Sequence, residues 1–413
     1  MRRRKLDARK QTGIFIAHRT DISNQTTVFV PSTVFKPPSY SMVEPQTIER
    51  IEIRDISGRT RTLELAIGDA TATHTVAPLD LLVISAFPGN YAPTPGTVIA
   101  RLKEIGIDVS KLSRSRERDW VDTWQCWLSQ PIAGKASRKA DQQLSGASIR
   151  RLLCFEHALA GRPEDLVGNV FRAITDWLLT ASFQSAGKPA TLGSVDTVRM
   201  PLLSTGNQGH PPASMLAAIV EQAIVHLAAG LPVDRIQLVI REGHRDLHQL
   251  LIAFGRLTTE ASVISLPNFL QEQVATYDLF LSYRRTDAHL AHRIVRAVRA
   301  KRDDMRVFVD QEDLDPGCCW KPALLKALAN CRNAICVVTD GYPSSPECID
   351  EFHAAVCLEQ MRPGYLLPLL CLSERSVDAL PASLRRINFI PAACPPATVD
   401  HVAATILRNI DRR

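Results

Sequence analysis

The sequence predicts an α/β protein of two domains in series, each a sheet with helices packed on its faces. Three observations predict it. Continuous apolar runs bounded by turn residues, such as DLLVISA at 80–86 between Pro78 and Pro88, carry the signature of strands buried on both faces. Helical segments of matching length alternate with those runs. The chain of 413 residues is also longer than the ~250–300 at which a single core stops growing.

Residues 1–48 mix charge, threonine and proline and are expected to be an arm with an edge strand. Alternation in IERIEIRD and RTLELAI around Asp-Ile-Ser-Gly predicts a β-hairpin from residue 51. DLLVISA follows as a central strand, then the loop FPGNYAPTPG and the helix TVIARLKEIG. Further strands are predicted at 149–156, 196–203 and 234–240, with helices DLVGNVFRAITDWLLTASF and ASMLAAIVEQAIVHLAAG between them. This first domain is assigned to 49–255 and a linker to 256–276. The second, 277–413, repeats strand and helix from YDLFLSY through AHLAHRIVRAVRAK, RVFVD, LLKALANC, AICVVTD and IDEFHAAVCLEQ to LLPLLCL.

Composition removes several classes of function. With 45% apolar and 22% charged residues the chain is of ordinary globular make-up. No run approaches the ~20 apolar residues of a membrane span, and GIFIA after the basic start is too short for a signal peptide, so a cytoplasmic protein is expected. A net charge of +6 lies in the N-terminal run and on arginine-rich helix faces, without the aromatic interleaving of a nucleic-acid surface. The ten cysteines fall mostly inside apolar runs, as buried free thiols do, and none has zinc-ligand spacing. No metal site is predicted.

The strand-end loops of the second domain are where an open parallel sheet binds ligands. YDLFLSYRRTD ends in Ser282, Tyr283, Arg284 and Arg285. VFVDQEDLDPG ends in an acidic turn with Asp310 and Asp313 ahead of Trp320. In SSPECIDEF, Ser344 or Ser345 caps a helix with Glu347 and Glu351 on one face. Each piece alone reads as readily as a solvated surface.

In this order and spacing they resemble the TIR family. YDLFLSYRR is similar to its first box, EDLDPG to its second-box loop, LPASLRRINFI to a looser third box, and SSPECIDEF to the segment carrying the catalytic acid of NAD⁺-cleaving members. That segment usually reads W-C-x-x-E. Cys348 and Glu351 match it, and Glu347 stands where the tryptophan is expected. The resemblance implies a flavodoxin-like parallel sheet and NAD⁺ as substrate with no cofactor required. It makes Glu351 catalytic, with Ser282, Tyr283, Arg284, Arg285, Asp310, Asp313, Trp320 and Cys348 around the substrate. It also implies self-association, the 312–317 loop of one protomer completing its neighbour's site. Cleaving the nicotinamide–ribose bond builds positive charge on the ribosyl carbon, which a carboxylate stabilises.

In the first domain, IGDAT (67–71), DLLVISA and PLLSTGNQGHP (201–211) form a second series. Glycines in the last loop let backbone N–H groups approach a diphosphate at a helix N-terminus. The order resembles the macrodomain, an α/β/α sandwich that binds ADP-ribose. The resemblance places Asp69 on the adenine amino group and a nucleotide among Ser85, Gly89, Gly96, Ser204, Thr205, Gly206, Asn207, Gln208 and Gly209. Where that family has N-A-A-N, this chain has Ser85-Ala86-Phe87-Pro88, which favours a binding module over a hydrolase.

Three functions follow as expectations. The first is an NAD⁺ glycohydrolase effector of prokaryotic antiviral defence, with an N-terminal nucleotide sensor. The second is a non-catalytic scaffold recruiting other TIR proteins, and the third an enzyme acting on ADP-ribosylated targets.

Overall fold

A computed structural model describes residues 44–73, 78–132, 149–158, 161–184, 195–262, 276–309, 320–367, 369–371, 380–386, 389–391 and 399–411. Residues 42–413 group as one compact unit. The expected arm up to residue 43, the linker residues 263–275 and the acidic turn with Asp310 and Asp313 lie outside the described residues.

The first sheet has eight strands. Strands β1 (Gln46–Arg54) and β2 (Thr60–Ile67) are the predicted hairpin, antiparallel, with Arg54 opposite Thr60. Asp55 closes its turn by accepting from the Ser57 and Arg59 amides, and Gly58 takes the positive φ of 79° there. β3 (Leu79–Ala86) is DLLVISA and lies between two parallel neighbours. Helices α1 (Val98–Glu104) and α2 (Val109–Leu112) follow, then β4 (Arg116–Trp120), the single turn α3 (Val121–Trp124) and β5 (Cys126–Ser129). β6 (Ile149–Glu156), α4 (Pro163–Gln184), β7 (Val195–Pro201), α5 (Pro212–Ala228), β8 (Val233–Ile240) and α6 (Leu247–Ser262) complete the half.

Strand order is β1-β2-β8-β7-β3-β6-β5-β4. The middle five are parallel; antiparallel β1 extends one edge, and antiparallel β5 and β4 extend the other. The β4–β5 edge escapes prediction because RERDW is mostly charged and CWLS is four residues long. α6 runs unbroken past residue 255, where the linker was expected to begin.

The second sheet is wholly parallel, in the order β10-β9-β11-β12-β13. Its elements are β9 (Tyr277–Tyr283), α7 (Ala288–Lys301), β10 (Val307–Phe308), α8 (Trp320–Ala329), β11 (Cys331–Val338), α9 (Pro346–Met361), β12 (Leu369–Cys371), β13 (Phe389–Pro391) and α10 (Val399–Asp411).

Alternation along each strand separates the cores. On the eight-stranded sheet, Leu82, Ile84 and Cys154 face α1 and α2, whereas Leu81, Val83 and Phe155 face α4 and α5. On the five-stranded sheet, Leu279, Leu281, Ile335 and Val337 face α7 and α10. Phe280, Cys336 and Val338 face α8 and α9, and they belong to the same apolar cluster as α4 and α5. The two sheets therefore share a helical middle.

Candidate functional site

The C-terminal candidate residues gather where β9 and β11 end, at the point where connections leave toward opposite faces of the sheet. Ser282 and Tyr283 are neighbours in one strand and so point to opposite faces. The Ser282 hydroxyl, buried, meets the phenol of Tyr342 at 2.7 Å, and that phenol donates to the Cys348 carbonyl at 3.1 Å. Burial, then the nearby Cys336, Cys348 and Glu351, keep Tyr342 well above the ordinary phenol range, so it remains a donor. Tyr283 packs instead with α7 and α10, on the side away from Glu351.

Ser345 is the residue that caps α9: its hydroxyl accepts from the Cys348 amide at 3.4 Å and donates to Glu347 at 3.1 Å. In the second turn, Glu351 is only 8% exposed, with Glu347 one turn before it on the same face. Burial and the charge of Glu351 both push the Cys348 thiol up, so it is a thiol and not a thiolate at neutral pH. The half-buried Arg284 lies against Gly341, Arg285 is exposed, and Asp287 accepts from Thr339 at 2.6 Å. Trp320 opens α8; its side chain is outside the described residues.

The cavity beside Glu351 is small, ≈ 30 Å³. Its described walls are Leu324, Leu325 and Leu328 of α8, Glu347 and Asp350 of α9, and Val225, His226 and Ala229 at the end of α5. One wall therefore comes from the N-terminal half. A wider cleft of ≈ 310 Å³ lies on the other flank of α9, between Asp122, Asn169 and Arg172 on one side and Asp340, Ser344 and Pro346 on the other.

The N-terminal candidates Ser85, Gly89 and 204–209 lie at or just after the ends of β3 and β7, again where the crossovers diverge, whereas Asp69 follows β2 and Gly96 precedes α1. Ser85 accepts from the Ser204 amide at 3.0 Å. Ser204 has a φ of +58°, unusual for a residue with a Cβ, and its buried hydroxyl has no hydrogen-bond partner among the described residues. Gly209 at +72° closes the loop back on Gly206 and leaves Gly206 and Asn207 exposed, while Thr205 donates to the Leu202 carbonyl at 2.9 Å. Gln208 turns inward, its amide donating to the carbonyls of Ala86 at 3.0 Å and His157 at 2.7 Å. It ties three strand ends together, so its N–H groups are spent inside the protein.

Asp69 is also engaged. It accepts from the Thr71 amide and hydroxyl and from Arg101 at 2.8 Å. Burial opposes its ionisation, yet those bonds outweigh it and hold the carboxyl below its ordinary range. Gly89, at a φ of +67°, donates to Glu156 at 3.2 Å, and Gly96, at +82°, lies across from Arg241.

Sequence reasoning missed Tyr342, Arg172 and His226, and also the pair His157 and His210, whose Nε2 atoms are 2.8 Å apart. Only the placement of His210 just before α5 hints at that pair. Among the described residues no group of His, Cys, Asp and Glu has the arrangement of a metal site, and no helix is long and apolar enough to cross a membrane.

The comparison that bears on the C-terminal half is a family model. Residues 279–401 match the TIR domain. The TIR domain thus covers β9 to the start of α10. For the N-terminal half, solved structures of macrodomains are similar. An Oceanobacillus iheyensis macrodomain with ADP is 16% identical, covering 51% of this chain and 98% of its own, at a TM-score of 0.35. A Trypanosoma brucei macrodomain in complex with ADP-ribose is 14% identical, covering 48% of this chain and 68% of its own, at 0.32. No curated protein matches the chain.

Proposed function

We propose that the chain is an NAD⁺ glycohydrolase that cleaves the nicotinamide–ribose bond when its TIR domains self-associate. The observation that carries this reading is Glu351, a carboxylate held at 8% exposure in the second turn of the helix after β11 of a TIR domain. A cation developing at the ribosyl carbon beside a shielded carboxylate is stabilised more strongly than in water. Tyr342 and Ser282 fix the backbone at Cys348, one turn before it. Arg284 and the exposed Arg285, at the mouth, suit the substrate diphosphate or a partner protomer.

In the same reading the N-terminal half binds an ADP-ribose-like nucleotide. The support is local: an exposed Gly206-Asn207 loop tip between strand and helix, at the divergence point of the sheet, with α5 lacking a side-chain cap at Pro211. A domain that binds the product class, joined to an enzyme that would make it, fits a regulated effector of antiviral defence acting in the cytoplasm.

One observation favours a second reading, a non-catalytic TIR scaffold. The ≈ 30 Å³ beside Glu351 is far below the ~300–1,000 Å³ of a pocket for a small molecule.

Turnover of NAD⁺, followed by chromatography of nicotinamide release across a hundredfold range of protein concentration, separates the two. The glycohydrolase shows activity rising faster than concentration and lost in Glu351→Gln. No release at any concentration leaves the scaffold.

A further inference from the structure

The wall of the Glu351 cavity that comes from the other half of the chain has a consequence for access. We propose that the C-terminal end of α5 is a gate on Glu351: the described structure is the closed state, and substrate enters when α5 and α9 part. This rests on the reading of Glu351 as the catalytic carboxylate.

The closed state is held at three places along α9. At Asp350, the residue before Glu351, Arg172 of α4 donates two hydrogen bonds of 2.9 and 3.2 Å; the two side chains are 5% and 18% exposed. At His353, one turn on, the ring is buried against Trp124 of α3. At Cys357, Gly230 just beyond α5 comes so close that an added Cβ would stand 3.3 Å from the Cys357 Cβ. Between the first and last of these, Val225, His226 and Ala229 close over Glu351. His226 is itself braced, its ring stacked on Phe171 of α4 at 5.1 Å.

Size sets what the gate has to change. A cavity of ≈ 30 Å³ has room for roughly a water molecule, and a nicotinamide ring with its ribose needs several times more. Of the cavity's three walls, α9 carries the carboxylate and cannot leave it. The α5 wall ends in one histidine between two small residues, Val225 and Ala229, and it is the wall that belongs to the other half of the chain. The same helix is one rigid element of 17 residues, ~25 Å long, whose other end follows the 204–211 loop. What binds at one end is thereby mechanically joined to what closes over Glu351 at the other.

A reversible lock tests the gate in the full chain. Gly230→Cys places a thiol opposite Cys357 within reach of a disulfide. Oxidation, verified by mass spectrometry, should lower NAD⁺ turnover at least tenfold, and dithiothreitol should restore it. Arg172→Ala, which releases the other clamp, should raise turnover several-fold at low protein concentration. Amide hydrogen exchange over 346–361 reads the gate without enzymology: faster in Arg172→Ala, slower in the oxidised lock. Equal exchange in wild type, Arg172→Ala and the oxidised lock overturns the gate. An oxidised lock that turns over as fast as its reduced form overturns it as well. Exchange that responds as stated, in a chain that consumes no NAD⁺ in any form, keeps the gate and overturns the catalytic reading instead. Should the positive φ of 93° at position 230 prevent folding of that variant, Arg172→Lys replaces it. Lysine keeps the charge but cannot make the paired bonds, and exchange in that variant equal to wild type overturns the gate.

Discussion

Arg172 and Asp350 lie 178 residues apart in sequence and make a two-bonded ion pair between helices of the two halves. Removing one partner of such a shielded pair leaves a charge without compensation, a loss of ~3–5 kcal/mol. Arg172→Met alone should therefore lower the urea midpoint of the full chain markedly. The double variant Arg172→Met with Asp350→Leu should recover most of it, because the apolar isosteres need no pairing. A double variant as unstable as the single one would show that the pair is not the source of the loss.

Tyr342 is expected to matter through its hydroxyl alone. Tyr342→Phe keeps the ring in the core and removes the link from Ser282 to the Cys348 carbonyl. Loss of a buried pair of hydrogen bonds costs ~1–2 kcal/mol. If that loosens the first turn of α9, turnover falls roughly tenfold. Unchanged kcat with a lower Tm would confine Tyr342 to stability.

Gln208 makes a different prediction, one about the N-terminal loop. Gln208→Ala strips the His157 carbonyl of its side-chain donor, while the Ala86 carbonyl keeps the His157 backbone amide at 2.9 Å. An unsatisfied buried carbonyl costs ~1–3 kcal/mol. Scanning calorimetry should show a Tm several degrees lower, and proteolysis should begin near 204–211. A variant with the wild-type Tm would mean that water replaces the amide.

The junction should also respond to acid. Burial first, and then the charges of His226 and Arg172, depress His353 from 6.5 to about 3, although Asp350 pulls the other way. Trp124 and Phe352 supply the apolar rings around it. A depressed folded value means that stability is fully present above 6.5 and is lost as pH falls toward 3. The loss is on the order of 5 kcal/mol. Denaturant midpoints measured from pH 7 to pH 4 should fall less steeply in His353→Leu than in wild type. Parallel pH profiles would remove His353 from the account.

Much of this architecture was legible from residues. DLLVISA announced a central strand because apolar side chains are needed on both faces, and the hairpin at 46–67 announced itself by alternation around Asp55 and Gly58. The β4–β5 edge was not legible, since an edge strand needs no continuous apolar run, and Arg116 and Arg118 there sit among acids. The candidate site shows the same limit from another side. Its segments could be read, but the faces could not. Tyr283 adjoins Ser282 in the motif and ends on the opposite side of the sheet from Glu351. Partners brought by long-range packing, such as His226 to Glu351 or Asp176 to the Ser383 amide at 3.0 Å, leave no local signal at all.

Helix α9 has ten of its sixteen residues buried, because it is covered by its own sheet on one side and by α4 and α5 on the other. Such a helix cannot be inherited alone. A TIR segment excised at residue 276 would take Arg172 from Asp350, Trp124 from His353 and Gly230 from Cys357, and a foreign neighbour would meet that face unmatched. The two halves are thus bound to diverge together. A change on α4 or α5 has to be answered on α9, and exchange of either half between proteins should yield aggregates unless that one helix face is exchanged with it.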